Sequence, residues 1–205
     1  MSAETSNNMF DWLFNPFRVV AGWRAFGIGL GLIVVTSVHG ALAGVRFDGL
    51  LRINMGETTI VFELAKQLGF TAIYIALLGI AGKLLSRSQF RLLDLVGTQW
   101  LARWPFVLVS LVLFHIPGYK ELTLKLLTMK PVDIATSIEG SEMLLLMGVG
   151  LAVLAMTVWT LILQYFSFAV SCNVKGGKAV TVFIIVFLVA STGDSLLLQQ
   201  LRSLS

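Results

Sequence analysis

The stretch MLLLMGVGLAVLAMTVWTLILQYFSFAV, residues 143–170, decides the fold class of this chain. It contains no charged residue, and it is longer than the roughly 20 residues that a helix needs to cross a bilayer. Lipid offers the backbone no hydrogen-bond partners, so a spanning segment of this length has to be helical. The stretch therefore predicts a membrane-spanning helix that is long enough to tilt or to extend beyond the bilayer.

The composition of the whole chain agrees with this prediction. Hydrophobic residues make up 57% of its 205 residues and charged residues 13%, with a mean hydropathy of +0.87, whereas a soluble domain carries about 25% charged residues. We predict an all-α integral membrane protein, a bundle of five transmembrane helices with short interfacial amphipathic segments. Residues 1–24 are expected to form a short cytoplasmic or interfacial N-terminus, and residues 25–200 the transmembrane domain. The predicted spans cover residues 25–45, 60–82, 101–117, 143–170 and 179–198.

The residues beside the first span favour a cytoplasmic N-terminus. Arg18 and Arg24 lie just before this span, which usually dominates orientation. The N-terminus lacks the basic region of a signal peptide, so we expect the first span to be uncleaved. Two connecting segments are amphipathic, QFRLLDLVGTQW (89–100) and YKELTLKLLTMK (119–130). The first favours a helix on the inner membrane surface, and the second fits either a helix or a strand.

The main polar interruption in the last third of the chain is SCNVKGGKAV, residues 171–180. A phosphate-binding P-loop needs a wider glycine frame that ends in Gly-Lys-Ser/Thr between a strand and a helix. Here Ala179 follows the lysine and both flanks are apolar. The segment instead predicts a tight turn on the inner side, with Gly176 and Gly177 free to adopt positive φ and with Lys175 and Lys178 at the membrane surface.

Five ionisable residues fall inside the predicted spans, where such groups are costly and are candidates for function. With the N-terminus inside, all of them lie in the outer half and can meet in one polar cluster. Three interpretations stay open: a salt-bridged structural cluster, a proton- or ion-handling site, and a metal site formed by the two histidines with a carboxylate. The residues are His39, Glu63, Lys66, His115 and Asp194.

The basic residues of the inner loops form a second candidate site, a surface for a partner protein or for anionic lipid. The remaining chemistry is sparse. Cys172 is the single cysteine, so no internal disulfide and no cysteine-based metal site is expected. No spacing pairs a nucleophile with a base, so we expect no enzymatic activity, no cofactor and no nucleic-acid partner. The candidate surface comprises Lys83, Arg87, Arg91, Arg103, Lys175 and Lys178.

Small residues recur at a spacing of four on the first and fourth spans. Such pairs let helices approach closely, either within the bundle or in a homo-oligomer. The sequence leaves these two alternatives open. The pairs are Gly27 with Gly31, Gly40 with Gly44, and Gly148 with Ala152.

The fourth and fifth spans, with Trp159 in the first of them and KAV (178–180) opening the second, resemble the Yip (Ypt-interacting protein) domain family. The opening LFNPFRVVAGW, with Asn15 and Pro16 just before the first span, resembles the start of its short prokaryotic members. The resemblance implies five spans, a cytoplasmic N-terminus and a location in the bacterial inner membrane. Eukaryotic members of the family bind prenylated Rab-type GTPases and carry a longer cytoplasmic N-terminal region.

We therefore expect a non-enzymatic multi-pass protein that organises membranes or binds a partner. Membrane lipids, another membrane protein and a second copy of the chain are the expected partners. The alternatives are a small transporter or channel that uses the intramembrane His/carboxylate cluster, and a subunit of a larger membrane complex.

Overall fold

The computed structural model describes residues 13–86, 90–112, 115–129 and 138–203. These residues form a helical bundle that carries one short β-hairpin. A 3₁₀ turn at Pro16–Arg18 precedes the elements, which are α1 (Gly22–Ala43), β1 (Val45–Phe47), β2 (Ile53–Met55), α2 (Ile60–Leu85), α3 (Leu92–Leu101), α4 (Trp104–Val112), α5 (Tyr119–Thr128), α6 (Gly140–Ser171) and α7 (Gly177–Ser203).

Local sequence signals set the ends of the long helices. Thr59 caps α2 by accepting a hydrogen bond from the backbone N–H of Phe62 at 3.3 Å. Glu139 and Glu142 form a capping box at the start of α6, which satisfies two backbone N–H groups that a helix start leaves unpaired. Gly44 ends α1 in a left-handed conformation with φ of 71°, which costs glycine little.

In the part of the chain that the structure describes, four helices are long and apolar enough to cross a membrane. They are α1, α2, α6 and the part of α7 from Gly177 to Leu196. This confirms the all-α fold class and the first, second, fourth and fifth predicted spans as long apolar helices. These four helices do not confirm the predicted count of five spans.

The predicted third span, residues 101–117, is not a continuous helix. The chain forms two short helices, α3 and α4, which meet at Ala102 and Arg103. At 1.5 Å per residue each is only about half as long as the hydrocarbon core is thick. Pro105 stands near the start of α4, and proline is accepted in the first turn of a helix but not in its interior. The break therefore falls where the sequence cannot continue one helix into the next.

Helix α3 packs inside the bundle and not on its surface, so the prediction of a surface helix over residues 89–100 is wrong. A Cβ atom on Gly97 would lie 2.5 Å from the backbone nitrogen of Phe26, and one on Gly29 would lie 2.6 Å from the Cβ of Trp100. Glycine on both helices is what permits this close crossing of α1 and α3. Leu95 of this helix is fully buried.

The pair α3–α4 accompanies α1 along its length and in the same direction. Asp94 lies near Gly22 at the start of α1, and His115 lies beside His39 near its end. The second amphipathic segment, which sequence left open between helix and strand, forms the helix α5.

The turn between α6 and α7 differs in detail from its prediction. Gly176 has a φ of 81°, as expected, but the second left-handed residue is Asn173 with a φ of 51°. Gly177 is the first residue of α7. Asparagine tolerates this conformation better than most residues because its short polar side chain can bond locally.

Candidate functional site

The β-hairpin folds its tip into the bundle. Its strands pair antiparallel, with Val45 opposite Met55 and Phe47 opposite Ile53. Asp48 and Leu50 in the loop between them are 1% and 2% exposed. The sequence carried a signal for this feature, since Asp-Gly between alternating apolar residues is typical of a hairpin.

A buried ion cluster joins the hairpin to α2. The Nζ of Lys66 lies 2.6 Å from Oδ1 of Asp48 and 2.8 Å from Oε2 of Glu63. The other oxygen of each carboxylate is also bonded: the backbone N–H of Phe47 donates to Glu63 at 2.8 Å, and the amide of Asn54 donates to Asp48 at 2.8 Å. Arg46, whose Nε lies 3.8 Å from Oδ1 of Asp48, supplies the second positive charge. The cluster thus matches its two carboxylates with two cations, and ion pairs removed from water need such pairing.

Asp48 is the central acceptor of this cluster. Burial alone would raise the pKa of its carboxyl, but the hydrogen bonds from Lys66 and Asn54, together with the nearby charges of Lys66 and Arg46, outweigh it and hold that pKa below its usual value. Asp48 is therefore a carboxylate at neutral pH. Sequence analysis named Glu63 and Lys66 but missed Asp48, because it lies outside the predicted spans.

Asp194 on α7 binds the tip of the hairpin from the other side. Its Oδ2 accepts a hydrogen bond from the backbone N–H of Leu50 at 3.1 Å. Nearby, Arg52 donates to the hydroxyl of Ser195 at 3.1 Å. Between the loop and α7 lies an open cavity of about 330 Å³. Its lining comprises Asp48, Gly49, Leu50, Leu51, Arg52, Ser191, Asp194 and Ser195.

Arg103 is buried at the break between α3 and α4, so its prediction as part of an exposed basic surface is wrong. It is 5% exposed and donates to the backbone oxygen of Gly49 at 3.4 Å. Its second terminal nitrogen is buried and has no hydrogen-bond partner among the described residues. The charges of Asp194 and Glu63 act on its guanidinium group. The prediction assumed a continuous third span, which would have put Arg103 at the membrane surface. The break in the helix explains why this prediction is wrong.

The two histidines face each other at the end of α1. The Nε2 atoms of His39 and His115 lie 3.0 Å apart, and the ring centroids are 5.0 Å apart in an edge-on arrangement. Within the described ranges, no group of three or more His, Cys, Asp or Glu side chains has the arrangement of a metal site. The histidines thus pair with each other, whereas Glu63 and Lys66 pair with each other and with the hairpin.

The other predicted basic residues lie at the opposite end of the bundle. Lys83, Arg91, Lys175 and Lys178 are exposed. A Cβ on Gly82 would touch the side chain of Cys172, and one on Gly79 would touch that of Leu92, so the ends of α2 and α6 and the start of α3 adjoin. Arg87 lies outside the described residues.

Comparison of the chain with known proteins gives no matching family model, no matching curated protein and no matching solved structure.

Proposed function

We propose that the protein is a non-enzymatic, multi-pass membrane protein that binds a transmembrane helix of a partner through α6. In this proposal α3 and α4 together form a broken third span, the N-terminus is cytoplasmic, and the protein has the partner-binding or membrane-organising role implied by its resemblance to the Yip domain family. The exposure of α6 supports the proposal most directly.

Helix α6 is the least covered of the long helices. Only 11% of its most apolar window is buried inside the bundle, against 44% for α2. In its first 20 residues, 140–159, Val149 is the one buried residue. The helix therefore contributes little to the core along this part of its length, although it is the most hydrophobic of the four long helices.

The uncovered face of α6 has the pattern of a helix–helix contact. Leu144, Leu151 and Val158 are exposed and recur every seven residues, and Gly148 and Ala155 lie between them on the same side. Lipid covers any apolar face, but small residues between large ones are what allow two helices to approach closely in a membrane. This pattern favours a partner helix over lipid alone.

A substitution at Gly148 tests this proposal. A Cβ at this position meets nothing within 4 Å, so Gly148→Leu leaves the bundle intact but blocks the close approach of another helix. We expect the variant to lose a partner that copurifies with the parent protein in a mild detergent. Gly31→Leu is the matched control, since Gly31 is equally open on α1. Equal recovery of the partner with both variants contradicts the proposal.

Cross-linking identifies the kind of partner. Leu151 on α6 is 65% exposed and Ile184 on α7 is 49% exposed, while the native Cys172 is buried. A cysteine at position 151 and a bifunctional maleimide should give a product of twice 22.4 kDa for a second copy, or another mass for a different protein. A cysteine at position 184, on α7, is the control and should give no cross-linked product. If neither position gives a product in native membranes, α6 faces lipid.

The exposed basic end of the bundle supports binding to anionic lipid headgroups. Each Lys or Arg near such a surface contributes about 1 kcal/mol, and salt screens it. Charge reversal at Lys175 and Lys178 should weaken copurification of anionic lipid without changing the cross-linking of α6.

A transporter remains the second candidate, and the cavity beside Asp194 favours it. Asp194→Asn preserves the shape of the side chain and can still accept a hydrogen bond from Leu50. If the cavity carries ions or protons, this variant should abolish flux in proteoliposomes while the protein stays folded. The parent protein is measured first. If it gives no more flux than protein-free vesicles, transport of the ions tested is excluded.

A further inference from the structure

The chain has two histidines in 205 residues, and the fold brings them into contact. They are separated by 76 positions, yet the Nε2 atoms of His39 and His115 lie 3.0 Å apart. One belongs to the last turns of α1, and the other follows α4. This contact is a hydrogen bond in which the tautomers decide which ring donates, and an ion bound to both nitrogens would take the place of its proton.

The separation fits a bridging metal ion. Imidazole binds divalent transition metals through bonds of about 2.0–2.1 Å. Two such bonds spanning 3.0 Å meet at an angle of roughly 90–100°, which is close to the cis angle of the tetragonal sites that Cu²⁺ and Ni²⁺ favour. A tetrahedral Zn²⁺ would require the nitrogens to move apart by only a few tenths of an ångström.

We propose that His39 and His115 bind one divalent transition-metal ion through their Nε2 atoms. His115 is exposed and His39 is partly exposed, so water can supply further ligands. Carboxylate-binding ions such as Mg²⁺ and Ca²⁺ are not expected, because these ions select oxygen ligands. The ion would join the end of α1 to the segment after α4, and so fasten the broken helix pair to the first span.

The test is titration of tag-free protein in detergent with Cu²⁺, read by electron paramagnetic resonance. We expect one equivalent whose pulsed spectrum shows two coordinated imidazoles, because the chain has no other histidine. A spectrum with no imidazole nitrogen overturns the proposal, and this readout on the parent protein depends on no variant.

Variants give a second readout. His39→Ala and His115→Ala should each weaken Cu²⁺ binding by at least about tenfold, since changes even one shell away from a metal cost that much. Saturating Cu²⁺ should raise the Tm of the parent protein, as any ligand of the folded state does, and should leave the Tm of the double variant unchanged. Equal Cu²⁺ affinity of the parent protein and the double variant overturns the proposal. If the double variant does not fold, the single variants and the spectrum of the parent protein still show whether the two histidines bind Cu²⁺.

Discussion

The ammonium group of Lys66 lies 2.6 Å from the carboxylate of Asp48, and both side chains are no more than 2% exposed. This contact joins α2 to the tip of the β-hairpin. The same ammonium also binds Glu63, whose second oxygen accepts from the backbone of the hairpin. One lysine thus binds two carboxylates, while Arg46, whose Nε lies 3.8 Å from Asp48, supplies a second positive charge. The cluster holds the hairpin inside the bundle.

Replacing Lys66 with methionine should destabilise the protein strongly. The change keeps the length and apolar stem of the side chain but leaves two buried carboxylates without their cation, and removal of one member of a buried pair costs about 3–5 kcal/mol. We expect a loss of this size in the free energy of unfolding in detergent. Lys83→Met is the control, because Lys83 is exposed at the other end of the same helix.

The lost charge of Lys66, and not the changed shape of its side chain, should explain this loss of stability. Adding Asp48→Asn to Lys66→Met removes one of the two carboxylates that Lys66 binds. The double variant should therefore lose less unfolding free energy than the sum of the losses in the two single variants. Additive effects would show that Lys66 and Asp48 do not interact.

Asp48 should also make stability depend on pH. Its pKa is lower in the folded protein than in the unfolded chain, so its contribution is present above the unfolded value of about 3.9 and is lost as pH falls through the folded value. We expect the free energy of unfolding to fall with acid below about pH 4 more steeply in the parent protein than in Asp48→Asn. Parallel curves would contradict this assignment.

Hydropathy and length were enough to predict the four long helices, because the cost of unsatisfied backbone in lipid leaves few alternatives. The same reasoning failed at residues 101–117. Hydropathy measures how apolar a segment is, and a segment broken at Ala102 and Arg103 is as apolar as a continuous one. The break falls just before Pro105, a local signal that hydropathy does not measure. The contact of Arg103 with the hairpin is not contained in any local pattern.

Two members of the buried ion cluster, Glu63 and Lys66, could likewise be found from sequence. Glu63 and Lys66 stand out because they lie in an apolar span. Their partner Asp48 lies in a connection that looked like an ordinary loop, and only the fold shows that it enters the bundle. The Asp-Gly pair at Asp48 and Gly49 indicates a turn but gives no information about where that turn packs.

Gly97 should not tolerate even a methyl group. Its Cβ would lie 2.5 Å from the backbone of α1, so Gly97→Ala must push α3 away from α1, and overpacking of this kind costs about 1–3 kcal/mol. Gly31→Ala on the open face of α1 is the matched control. It should be neutral or slightly stabilising, because alanine favours a helix by up to about 1 kcal/mol over glycine. Equal Tm values for the two variants would show that the crossing is not tight.

Trp159 should hold the N-terminal segment against α6. Its indole N–H donates to the backbone oxygen of Leu13 at 3.1 Å, and its ring lies edge-on to that of Trp104 at 4.6 Å between centroids. Trp159→Phe keeps an aromatic ring but removes the donor, so we expect a loss of about 1 kcal/mol, typical of one hydrogen bond. Amide hydrogen exchange should become faster around residues 13–20 and stay unchanged in α2. Trp23→Phe is the control, since Trp23 is 74% exposed and its replacement should not alter exchange in this segment. Unchanged exchange in Trp159→Phe would mean that the packing of Phe17, which is 2% exposed, suffices to hold the segment in place without this bond.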